Sequence, residues 1–195
     1  MSAARLQTTT SSLAVIDIQE KLLAVMPGKA DLLRNAAFLI EVARRLGVPT
    51  LVTEQYPKGL GPTHPDLAQI LTVPRHDKLT FSCAGAPGFL DDLRTLGRNQ
   101  IVLCGMESHV CVLNTALDLL EESFEVFLAV DAIQSRFHID HEVALRRLEN
   151  AGCILVTVET VAFEWLGGSN HPDFKSIRQL VQRRTQPPSH EPDMI

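Results

Sequence analysis

Short runs of almost unbroken apolar residues alternate with stretches in which apolar residues recur every three or four positions. The first kind predicts strands over residues 13–18 (LAVIDI), 49–53, 100–104 (QIVLC), 125–130 (EVFLAV) and 154–158, with a weaker one over 75–79. The second kind predicts helices over 35–46, 110–122, 140–150 and 173–183. Val112, Leu113, Ala116, Leu117 and Leu120 form the apolar stripe of the second helix. Gly47 and Gly152 stand where the first and third should stop. Strands that are apolar on both faces and alternate with helices predict an α/β fold: three layers, α/β/α, around a mostly parallel, Rossmann-like sheet of six strands.

In such sheets the chemistry collects beyond the carboxyl ends of the strands. Asp17 and Gln19 follow the first strand. Thr53, Glu54, Gln55 and Tyr56 follow the second, and His76, Asp77 and Lys78 lie on the third. Gly105-Met106-Glu107-Ser108-His109 and then Cys111 follow the fourth, and Asp131 the fifth. A carboxylate inside an apolar strand is costly unless paired, and Lys78 poses the same problem with the opposite sign, so the two are candidate partners. Cys111 falls just inside a predicted helix start, where the dipole and free N–H groups favour a thiolate. An adjacent ammonium should lower its pKa further. Asp17 is then a candidate proton acceptor, and the N–H groups of Val110 and Cys111 are candidate oxyanion donors. Each residue alone also has a plain reading: a capping Asp, a core thiol.

Composition narrows the function. At 195 residues, 45% hydrophobic and 21% charged, the chain suits one folded domain, assigned to 12–183, with a flexible N-terminus (1–11) and a disordered polar tail (184–195). A net charge of −5 argues against nucleic acid as the main partner. No run is long enough to span a bilayer and no secretory signal opens the chain, so a cytoplasmic location is expected. Four cysteines without a CxxC pair argue against a disulfide framework or zinc knuckle. There is no phosphate loop, which disfavours a nucleotide-binding domain. The Asp-x-Asp of haloacid-dehalogenase phosphatases is missing, because Gln19 holds its third position. No cofactor and no metal are expected.

VIDIQ at 15–19, KLTFS at 78–82, GMESHVCVLNTALDLL at 105–120 and VDAIQSR at 130–136, in this order and each at a strand end, resemble the signature stretches of isochorismatase-like cysteine hydrolases. TEQYPKGLG at 53–61 is similar to the subgroup of isochorismatase domain-containing proteins. The resemblance runs from about residue 13 to 165. It implies an Asp-Lys-Cys triad of Asp17, Lys78 and Cys111, a non-proline cis peptide at Met106–Glu107 contributing backbone to the oxyanion site, and a homo-oligomer. It also implies hydrolysis of a small molecule, with Cys111 tilting the chemistry toward the C–N bond of an amide or ureido compound through a thioester. The alternatives are vinyl-ether hydrolysis of the isochorismate type and a non-catalytic metabolite- or protein-binding pseudoenzyme. The nicotinamidase metal ligands near the second strand are absent here, where the residues are Glu54-Gln55-Tyr56-Pro57. Gln19, Glu54, Tyr56, Phe81 and His109 are candidate pocket residues, and His138 and His141 are expected to cap or to lie on the surface.

Overall fold

A computed structural model describes residues 4–184. In chain order the elements are β1 (Ser11–Ile16), α1 (Glu20–Leu23), α2 (Lys29–Arg45), β2 (Thr50–Gln55), α3 (Pro57–Leu60), α4 (Pro65–Ala68), β3 (Arg75–Lys78), α5 (Phe89–Thr95), β4 (Gln100–Met106), α6 (Leu113–Glu121), β5 (Glu125–Gln134), α7 (His138–Ala151), β6 (Ile154–Val156), α8 (Val158–Leu166) and α9 (Phe174–Arg184). A one-turn 3-10 helix (Cys83–Gly85) follows β3, and a π-helical turn (Ser108–Val112) leads into α6.

The six strands form one parallel sheet in the order β3-β2-β1-β4-β5-β6. Alternation along each strand divides the core in two. Leu13, Val15, Val52, Val102 and Cys104 pack with α2, α8 and α9, whereas Ala14, Ile16, Leu51, Ile101 and Leu103 pack with α5, α6 and α7. The chain runs outward in one direction from β1 to β3 and in the other from β4 to β6, so the crevice of this topology opens between β1 and β4.

Several boundaries differ from the sequence pattern. Helix α2 starts at Lys29, and the short helices α1, α3 and α4, together with α5 and α8, fall outside the ranges that the pattern predicts. Strand β5 continues to Gln134 through an irregularity: Leu103 faces Leu128 but Gly105 faces Ile133, so β5 bulges outward between those pairs. Residues 4–10, expected to be flexible, run against the body; Leu6 is buried and its N–H donates to Glu164 Oε2 at 2.8 Å. Arg184, expected to begin the polar tail, is the last residue of α9; residues 185–195 lie outside the described residues. Among the described residues no helix is long and apolar enough to cross a membrane.

Candidate active site

Asp17 is the first residue after β1, and its φ of +52° breaks the strand's alternation. Strict alternation would send its side chain to the α2 face with Leu13 and Val15. The left-handed residue, a conformation Asp tolerates better than most, brings it to the α5–α7 face instead. There its Oδ1 accepts from Thr53 Oγ1 at 2.8 Å, and its Oδ2 lies 2.7 Å from Lys78 Nζ. Both ionic side chains are completely buried. Gly105, on the facing strand, permits the close approach of β4: a Cβ there would sit 2.0 Å from the Ile16 carbonyl oxygen.

Lys78 ends β3. Its Nζ also reaches Gln55 Oε1 (2.7 Å), the carbonyls of Phe81 (3.1 Å) and Thr80 (3.3 Å), and Cys111 Sγ at 3.4 Å. The sheet edge thus brings Asp17, Lys78 and Cys111 together from three separate segments. Burial pulls the lysine toward neutrality, but Asp17 and the neighbouring thiols more than offset it, and the ammonium is held above its ordinary range. Cys111 is 5% exposed, so access to it is narrow.

The electrostatics of Cys111 differ from the expectation. Burial first, and the Asp17 charge second, push its thiol well above the ordinary value; Lys78 opposes them without prevailing. A thiol raised in this way keeps its proton at neutral pH, so thiolate forms only if a base takes the proton. Cys83, in the turn after β3, is fully buried. Its Sγ lies 3.5 Å from Thr53 Oγ1, its N–H donates to Thr115 Oγ1 of α6 at 2.9 Å, and burial and Asp17 push its thiol up to about 11.

The surrounding residues divide by their hydrogen bonds. Gln19 is fully buried and donates to the carbonyls of Gln55 (3.0 Å) and Gly61 (2.5 Å) while accepting Gln55 N–H (2.8 Å). Glu54 Oε1 accepts Thr63 N–H (2.7 Å) and Thr63 Oγ1 (2.6 Å). Both side chains hold the loop after β2, and neither lines the hollow beside Lys78. Tyr56 does face a hollow of about 460 Å³, which it shares with Lys58, Lys78, Leu79, Gly85 and Pro87 among others. Phe81 is exposed outside that lining, and only its carbonyl meets Lys78. His109 turns toward the β5–α7 connection, with Nδ1 3.0 Å from Ser135 Oγ and Nε2 3.8 Å from Asp140.

Of the predicted oxyanion donors, Val110 N–H is already bonded to the Glu107 carbonyl at 3.0 Å. The peptide between Met106 and Glu107 is cis, Met106 is buried, and Glu107 Oε2 accepts from the N–H (3.2 Å) and Nε (3.0 Å) of Arg136. His138 is at the surface, whereas the half-buried His141 ring lies 2.8 Å from Ser108 Oγ, tying α7 to the turn that carries Cys111. Asp131 faces away from the site: it caps α8 through Val158 N–H (2.8 Å) and pairs with Arg184. Sequence reasoning missed Thr53 and Gln55 as partners of the ion pair. Their signal is the period of two along β2, which sets both on the face of Leu51. Among the described residues no cluster of three or more His, Cys, Asp or Glu side chains is arranged to hold a metal ion.

Residues 11–160 match the family described as Isochorismatase domain. Isochorismatase domain-containing protein 2 of Bos taurus is 42% identical over 173 residues, 89% of this chain and 83% of that protein. A structure described as the MAR1 ribonuclease of Caenorhabditis elegans superposes with a TM-score of 0.88 at 39% identity, covering 98% of this chain and 97% of that one. The YcaC product of Escherichia coli, described as an octameric hydrolase of unknown specificity, gives 0.82 at 26% identity, covering 95% and 100%.

Proposed function

The chain belongs to the isochorismatase family, and we propose that within it the protein is a cysteine hydrolase cleaving the C–N bond of a small amide or ureido compound. The observation that carries this reading is one ammonium, Lys78 Nζ, held 2.7 Å from a buried carboxylate and 3.4 Å from a buried thiol. Asp17 takes the Cys111 proton as Sγ attacks the carbonyl carbon, and the tetrahedral oxyanion is met by the Cys111 N–H. Lys78 offsets the charge on sulfur. The proton on Asp17 passes to the departing nitrogen, the C–N bond breaks, and a thioester remains. Water, deprotonated by Asp17, attacks the thioester and regenerates the thiol. The raised thiol pKa fits this order, since sulfur becomes nucleophilic only as the base acts.

A small substrate suits the narrow access to Cys111 and the apolar hollow beside Lys78. Nucleic acid is less well supported, although the C. elegans relative is described as a ribonuclease: the net charge is −5, and the hollow sets Asp77 against Lys58. A homo-oligomer is part of the proposal. The E. coli relative is octameric, and Leu79, Phe81, Phe137 and Ile139 are exposed around the carboxyl edge.

The test is intact-mass trapping of an acyl adduct during a screen of amides and ureido compounds, with an isochorismate-type vinyl ether and RNA in parallel. An adduct mapping to Cys111, with turnover absent in Cys111→Ala, is expected. Cleavage of the vinyl ether or RNA with no amide turnover would replace the reading. Binding without turnover of any of them would favour the pseudoenzyme.

A further inference from the structure

The proposed triad does not say why one oxygen of Asp17, and not the other, should act on sulfur. A carboxylate in a buried site can rotate, and each oxygen is a candidate base. The residues behind Asp17 supply an answer.

Thr53 lies on the site face of β2 and is almost wholly buried. Its hydroxyl carries one proton and faces Asp17 Oδ1 at 2.8 Å and Cys83 Sγ at 3.5 Å. An ionised carboxylate only accepts, and a bond to it is the stronger of the two, so the hydroxyl proton points to Asp17. A lone pair of the hydroxyl is then left toward Cys83. Burial keeps the Cys83 sulfur protonated, with its pKa pushed up to about 11, so it is a donor at neutral pH. Thr115 of α6 fixes Cys83 in place by accepting its backbone N–H at 2.9 Å. A valine would fill the Thr53 position with the same shape, and a buried hydroxyl is costly unless bonded.

We propose that Thr53 and Cys83 are positioning residues: Cys83 S–H donates to Thr53, Thr53 O–H donates to Asp17 Oδ1, and the relay leaves Oδ2 as the basic oxygen on the Lys78 and Cys111 side. This rests on Asp17 being the base for Cys111. The titratable groups facing Asp17 are Lys78 from β3, Cys83 from the 3-10 turn and Cys111 from the π turn.

The experiment is the rate of iodoacetamide alkylation of Cys111 in the full chain at one mildly alkaline pH, with peptide mapping to separate it from Cys83, and thermal melting of each variant as a folding control. Asp17→Asn removes the base and should slow alkylation by about tenfold or more. Thr53→Val lets the carboxylate turn away from sulfur and should slow it by about three- to tenfold. Thr53→Ser keeps the hydroxyl and should restore the wild-type rate, a rescue that a packing role alone would not give. Cys83→Ala frees the hydroxyl to rotate and should slow alkylation by a smaller factor. If Asp17→Asn slows alkylation but Thr53→Val does not, the relay is overturned and the base assignment stands. If Asp17→Asn leaves the rate unchanged, both fall. Should Thr53→Val fail to fold, an unchanged rate in Cys83→Ala is decisive against the relay.

Discussion

Two acid–base pairs sit on opposite faces of the same sheet at the same separation. Asp17 and Lys78 meet at 2.7 Å on the α5–α7 face, and Asp131 and Arg184 meet at 2.7 Å on the α2–α9 face. Their wiring differs. Asp131 uses every acceptor to join elements: Oδ1 takes Val158 N–H, Oδ2 takes Arg184, and its carbonyl takes Asn35 Nδ2 at 2.6 Å. Arg184 spends its other nitrogens on Asn35 Oδ1 (2.8 Å) and Glu159 (3.2 Å) and lies over the Phe38 ring. That pair is a closed latch tying β5, α2, α8 and α9 together. The first pair is fully buried and shared with a neutral thiol that either member can influence. A buried pair whose contacts include a reactive sulfur is the arrangement of a working site, and a partly exposed pair that ends only on structural groups is that of a brace.

The largest expected difference is in chemistry. Asp17→Asn should lower turnover by about 10²–10⁴-fold, the usual share of a positioned general base. Asp131→Ala should leave the turnover of the folded protein near wild type. Steady-state rates on whichever substrate the screen identifies decide this, and a comparable loss in both variants would erase the distinction between site and brace.

Stability should respond to both pairs, in different ways. Lys78→Met strands a buried carboxylate and should cost about 3–5 kcal/mol, whereas Asp17→Asn combined with Lys78→Met should recover much of that while remaining inactive. Denaturant unfolding measures it, and additive losses in the double variant would contradict the paired reading. Asp131→Ala should cost about 1–3 kcal/mol by leaving Val158 N–H without its acceptor and taking one of several acceptors from the Arg184 guanidinium. Arg184→Lys, which keeps the charge but loses the planar fork, should also destabilise, by a smaller amount.

The two pairs were also unequally legible in the sequence. Asp17 stands out because it interrupts an apolar strand, Lys78 because it ends the third strand, and Cys111 because it follows the turn after the fourth; the signature stretches add to that. Asp131 looks equivalent by the same rule, yet it faces the other way, on the side of β5 that Phe127 and Ala129 turn toward α2 and α8. Asp17 itself reaches the site only through a left-handed turn that reverses its side. Periodicity reads faces correctly while the strand stays regular and fails where a single residue re-aims the chain. Helix α8 was hidden for a related reason. Its start, Val158-Glu159-Thr160-Val161, is β-branched at every position but Glu159 and continues the strand pattern of β6. What ends the strand is the cap, in which Thr157 Oγ1 accepts Thr160 N–H at 3.2 Å. Gln19 and Glu54 lie beside the site in sequence, but both side chains bond the loop after β2, and only the partners reveal that.

The smallest effect separates the faces by their thiols. Cys104 packs on the latch side, and its pKa is pushed to about 12 by burial alone. Cys83 packs on the site side at about 11, raised by burial and by Asp17 and lowered by Lys78. Both folded values exceed the unfolded value of 9.0. The unfolded chain therefore releases these protons first, and stability is whole below pH 9.0 and falls above it. Each buried thiol contributes a slope of about 1.4 kcal/mol per pH unit until its own folded value is reached. Denaturant unfolding between pH 8 and 11 should show this decline, shallower in Cys104→Ala and in Cys83→Ala than in wild type. Asp17→Asn removes a charge that Cys83 feels and Cys104 does not. It should bring the end of the Cys83 slope to lower pH and leave the Cys104 contribution unchanged. Equal effects on both thiols would mean that Asp17 acts through general loosening of the fold and not through its charge.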